Sequence, residues 1–143
     1  MLESLFIAKL SGRNEVPPVQ TNAFGNAEFS ANSNHTKLKF RLVVCNIENF
    51  IQAHIHFGAP DVNGPVLAFL FGENVQTIAE QEGLTTRKGV VTGVITDEDI
   101  VDNPEGITTV RQLVELMEEG LTYVNAHTEQ NPDGEIRGQI EEV

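Results

Sequence analysis

Thr36-Lys37-Leu38-Lys39-Phe40-Arg41-Leu42-Val43-Val44-Cys45 alternates with a period of two. Leu38, Phe40, Leu42 and Val44 point one way, and Lys37, Lys39 and Arg41 the other. Successive side chains of a strand face opposite sides of a sheet, so this pattern marks a half-buried β-strand. Upstream, residues 24–31 also alternate, with Phe24, Ala27 and Phe29 set among small residues. Between the two lies Asn32-Ser33-Asn34-His35, whose side chains tolerate tight backbone geometry. The two segments therefore read as a hairpin.

Working outward, further strands are expected at 3–10, 50–57, 66–71, 89–95, 121–128 and 134–141. Val16-Pro17-Pro18, Asn63-Gly64-Pro65 and Asn131-Pro132-Asp133-Gly134 supply turns between them. About eight short strands at such spacing predict a mainly β fold, an antiparallel Greek-key sandwich or barrel. One short helix is expected near 109–119. Thr109 is placed to cap it with Gln112 as reciprocal partner, and Gly120 to end it. Val110, Leu113, Val114 and Met117 share its apolar face. A shorter helical turn follows Thr96, and the polar segment 72–88 reads as a loop. With 143 residues and no internal repeat, residues 1–143 read as a single domain.

The chain carries 21 acidic and 9 basic residues, a formal net charge of −12. Such a surface repels phosphate backbones, which argues against nucleic acid as a partner, and it attracts cations. The one cysteine, Cys45, excludes an intrachain disulfide, and its apolar setting predicts a buried thiol. No signal peptide is visible, and no run approaches the ~20 apolar residues that cross a membrane. The chain as given therefore reads as soluble, with no membrane partner and no compartment assigned.

The chemistry-bearing residues are histidines. His54 and His56 lie in Gln52-Ala53-His54-Ile55-His56-Phe57. On a strand, both imidazoles fall on one face about 7 Å apart. His127 lies near the end of Tyr123-Val124-Asn125-Ala126-His127-Thr128. Three such imidazoles can hold one ion, and intrinsic affinity ranks Cu(II) above Zn(II). Binding through neutral rings is expected to weaken as pH falls through about 6.5. A face of hydrogen-bonded or solvated histidines is the competing reading. His35, in the expected turn, reads as exposed and uninvolved. The chain contains no Gly-x-Ser-x-Gly elbow, phosphate loop or His-Glu-x-x-His. Glu135, Arg137 and Gln139 share one strand face. Arg137 is a candidate for binding an anion or for a structural ion pair with Glu15.

Five segments in order resemble the CHRD (chordin) domain family. They are Leu10-Ser11-Gly12-Arg13-Asn14-Glu15-Val16-Pro17-Pro18, Ala53-His54-Ile55-His56-Phe57-Gly58, Asn63-Gly64-Pro65-Val66, Tyr123-Val124-Asn125-Ala126-His127-Thr128 and Asn131-Pro132-Asp133-Gly134-Glu135-Ile136-Arg137-Gly138-Gln139. The likeness runs from near residue 6 to near 140. It implies a binding or structural module more than a catalyst, often outside the cell and with a protein or matrix partner.

The arrangement is more distantly similar to copper–zinc superoxide dismutase. There a His-x-His strand and a late strand histidine hold copper, as His54, His56 and His127 would here. Arg137 would stand near that enzyme's anion-guiding arginine. This sequence has no histidine between His56 and His127, so the bridging ligand and most of a zinc site are missing. Three functional readings follow. The first is a non-catalytic module with a three-histidine Cu(II) or Zn(II) site. The others are a dismutase-like copper redox enzyme and an interaction module without metal.

Overall fold

The structure, a computed structural model, describes residues 4–72 and 84–143. Among these residues the fold is an antiparallel barrel of eight strands with one α-helix. The strands are β1 (Ser4–Ser11), β2 (Phe24–Ala31), β3 (Leu38–Phe57), β4 (Val66–Phe71), β5 (Leu84–Ile95), β6 (Thr122–Thr128), β7 (Ile136–Gln139) and β8 (Glu141–Glu142). The helix, α1, spans Val110–Glu118.

The hairpin read from the sequence is present. β2 and β3 pair antiparallel from Ala31↔Leu38 to Phe24↔Cys45, with Phe29 opposite Phe40. β3 is the organising element. Its first half pairs with β2 and β5, and its second half with β4 and β6. β6 pairs with β7, and β7 returns to β1 through Ser11↔Arg137, which closes the circuit. A side chain at Gly138 would strike the Lys9 carbonyl of β1, so glycine permits this close approach.

β3 joins what the sequence presents as two strands, 36–45 and 50–57. Asn46 and Asn49 adopt left-handed backbone angles, φ 52° and 55°, and the register shifts between Ile47 and Phe50. Asparagine tolerates that region at little cost, so the strand bends there and passes from one side of the barrel to the other. A second difference concerns segment 72–88. Residues 84–88 extend β5 rather than forming a loop, and residues 73–83 lie outside the described residues. β5 pairs with β3, and its first residues, 84–88, are largely exposed on both faces, so its start lacks hydrophobic alternation. Residue 3 of the first expected strand also lies outside the described residues.

The core gathers Phe6, Phe29, Leu42, Phe50, Ile55 and Ile136, among others. Phe50 stacks on Phe71 with centroids 4.4 Å apart. Helix α1 buries Val110, Leu113, Val114 and Met117 completely, each worth about 1.5–3 kcal/mol. The Thr109 hydroxyl accepts from Gln112 N, and the Gln112 carboxamide accepts from Thr109 N. Asp97, in the short 3₁₀ turn after Thr96, accepts from Val110 N at 2.7 Å. At the other end, Gly120 N donates to Met117 O and Leu121 N to Leu116 O, with Gly120 at φ 75°.

Two side chains differ from expectation. Cys45 is half-buried, because the alternation that buries Val44 turns Cys45 to the outer face between Phe24 and Lys88. His35 is half-buried rather than exposed, at φ 53° in its turn.

Candidate metal centre

His54 and His56 stand on β3, and Asn125 and His127 on β6 beside it, with His54↔Asn125 and Gln52↔His127 in register. Ala53, Ile55, Val124 and Ala126 fill the barrel interior, so the histidines occupy the outer face of these strands. They are nevertheless buried, at 3%, 7% and 7% exposure for His54, His56 and His127. The stretch 58–65 and the Asn131–Gly134 turn press against this face through the bonds they make to its side chains.

One ring nitrogen from each of His54, His56 and His127 lies within 4.8 Å of the others. His54 Nδ1 is 3.1 Å from His127 Nε2. Two metal–nitrogen bonds of about 2.0 Å spanning that gap subtend about 100°, close to a tetrahedral angle.

The tautomers follow from the outer contacts. His56 Nδ1–H donates to the Gly64 carbonyl at 2.9 Å, so Nε2 carries the lone pair. His127 Nδ1–H donates to the Pro132 carbonyl at 2.8 Å, again leaving Nε2 bare. Both acceptors are backbone oxygens supplied by the two Gly/Pro turns of the sequence. His127 Nε2 also faces Asn125 Oδ1 at 2.9 Å, while the Asn125 amide nitrogen is turned to Glu15. His54 Nε2 and His56 Nε2 are buried with no protein hydrogen-bond partner.

The cluster therefore holds more acceptors than donors. Protons do not correct the imbalance. Burial, with repulsion from His127 and His56, pushes His54 down to about 2. Burial likewise pushes His56 down to about 4, although its bond to Gly64 opposes this. His127 is lowered by burial against the contrary pull of Pro132 and Asp133. The rings are neutral at physiological pH, which is the form that ligates metal.

Arg137 and Glu15 lie beside the triad. Arg137 donates from Nη1 to Asn63 Oδ1 at 3.0 Å, and from Nη2 to Ala59 O at 3.2 Å and Val62 O at 2.8 Å. Its hydrogen bonds thus reach uncharged oxygens, and Glu15 feels it through space. Glu15 is buried, and its Oε2 has no hydrogen-bond partner. Burial raises its carboxyl to about 7 against the opposing Arg137 charge and Asn125 amide. Gly134, at φ 126°, sits where a side chain would collide with Glu15 and Asn125.

The structure also brings in residues that sequence reasoning missed. Tyr123 stacks flat on His56, centroids 4.8 Å apart and planes at 2°. Gly64 and Pro132 contribute through carbonyls, which no side-chain pattern reveals. Their signal was present only as turn motifs. Glu135, expected on the face of Arg137, accepts from Thr21, Thr128, Gln130 and Asn131. Those bonds pull its carboxyl below the usual range despite burial. They knit the turn that carries Pro132.

Compared with known families, the chain is matched over residues 6–140 by the model of the CHRD domain. A search of curated proteins gives no match.

Proposed function

The chain belongs to the CHRD domain family, and on that premise we propose that it is a non-catalytic binding module holding one Cu(II) or Zn(II) ion through His54, His56 and His127. The observation that carries this reading is the surplus of buried acceptors. One ring nitrogen from each of three imidazoles lies within 4.8 Å of the others, His56 and His127 each have Nδ1 committed to a backbone carbonyl, and Nε2 of His54 and of His56 is buried without a protein partner. Leaving such nitrogens buried and unpaired costs free energy that a metal ion offsets. The outer carbonyls fix ring orientation in the manner of a metal site's supporting shell.

The donor set fits both ions. It is nitrogen only and neutral. A bound ion would be held by the three rings, with Gly64 and Pro132 orienting His56 and His127. Asn125 would supply its amide dipole beside His127. Such an ion can act as a structural brace or as a Lewis acid.

Titration calorimetry with Cu(II), on protein free of a polyhistidine tag, tests the reading. One equivalent binds to wild type, and His54→Ala, His56→Ala and His127→Ala each weaken binding at least tenfold. His35→Ala leaves it unchanged. Affinity holds as pH falls from 7 through 6.5 and is lost toward pH 4, because burial keeps the rings unprotonated. Equal affinity in wild type and His127→Ala overturns the three-histidine site. Superoxide turnover by copper-loaded protein would replace binding with redox catalysis.

A further inference from the structure

Arg137 is among the largest fully buried side chains of the described residues. Its guanidinium carbon lies 3.5 Å from the centroid of the Tyr123 ring. β6 runs between β3 and β7, so Tyr123 has His56 on one side and Arg137 on the other. The three groups form one stack. The same guanidinium ties Ala59, Val62 and Asn63 together. The next residue, Gly64, accepts from His56 Nδ1 and donates its own N–H to the Tyr123 hydroxyl at 3.0 Å. Arg137 thus touches both features that fix His56, the ring wall behind it and the loop that supplies its acceptor.

We infer that Arg137 is a positioning residue for His56, holding it through the Tyr123 ring and the 59–64 loop in the tautomer that presents Nε2. The inference rests on the reading of the triad as a metal centre. Electrostatics alone gives this arginine the wrong sign, since a buried cation near the triad repels an incoming dication. Its position must repay that cost. A flat fork that reaches three oxygens and stacks on an aromatic face suits arginine and not lysine.

Two measurements on the full chain test this. Nitrogen-15 NMR of metal-free, histidine-labelled protein reads the His56 tautomer, and Cu(II) titration reads affinity. Wild type shows His56 with hydrogen on Nδ1. In Arg137→Met and Arg137→Lys, His56 becomes a tautomer mixture while His127 keeps its tautomer, and Cu(II) affinity falls about ten- to hundredfold.

A purely electrostatic role predicts the reverse for Arg137→Met, a gain in affinity. That gain, or a His56 tautomer unchanged in both folded variants, overturns the inference. Should both variants fail to fold, Asn63→Ala removes one tether away from the stack, and an unchanged His56 tautomer there overturns it equally. Wild type with the expected tautomer but no Cu(II) binding refutes the metal centre alone.

Discussion

Glu15 shows how much a single residue's setting decides. Its carboxyl is raised from the ordinary 4.5 to about 7, chiefly by burial. The folded protein therefore holds this proton more tightly than the unfolded chain does. Below pH 4.5 the carboxyl is protonated in both states and costs nothing. Between 4.5 and 7 the unfolded chain gains by ionising, and above 7 the destabilisation is complete. Glu15→Gln in metal-free protein should accordingly raise stability at pH 8 by on the order of 1–2 kcal/mol, after allowing for residual solvent screening, and by nothing at pH 4. Thermal denaturation at the two pH values checks this, and an equal shift at both contradicts it. The sequence marks Glu15 as an ion-pair candidate for Arg137, because opposite charges invite pairing. It does not reveal that Arg137 hydrogen-bonds to carbonyls instead, since those come from a turn whose path depends on the whole fold. The histidines were legible because a period of two fixes their shared face on β3 without further information. Their tautomers were not, because backbone oxygens set them.

At the scale of elements, helix α1 was legible to within a residue or two, and its caps explain why. Thr109 and Gln112 exchange bonds across the first turn, and Gly120 closes the last. Thr109→Ala should cost about 1 kcal/mol, a fall in Tm of about 2–4 °C, measurable by calorimetry. An unchanged Tm would mean that burial of Val110, Leu113, Val114 and Met117 holds the helix without its cap. Strand β3 was harder to read. Its polar middle around Asn46 and Asn49 looks like an interruption, yet left-handed asparagines let the ladder continue through a bend. The bend has a consequence for the site. It carries the second half of β3 to β6, which sets His54 and His56 beside His127. The start of β5 was illegible for the opposite reason, since a strand exposed on both faces shows no alternation.

For the whole molecule, alternation predicts antiparallel sheets but does not say which face the loops will cover. The three histidines lie outside the barrel interior, and burial comes from the turns Asn63–Gly64–Pro65 and Asn131–Pro132–Asp133–Gly134 laid over them. Order along the chain shows the turns without showing where they land. The net charge of −12 favours the approach of cations to the molecule as a whole. In the proposed site His54, His56 and His127 share one ion. X-ray absorption of untagged protein loaded with one equivalent of Cu(II) counts the ligands directly. A shared ion shows about three imidazole nitrogens at about 2.0 Å, reduced by one in His127→Ala. A first shell of oxygens, or a nitrogen count unchanged by that substitution, would contradict it.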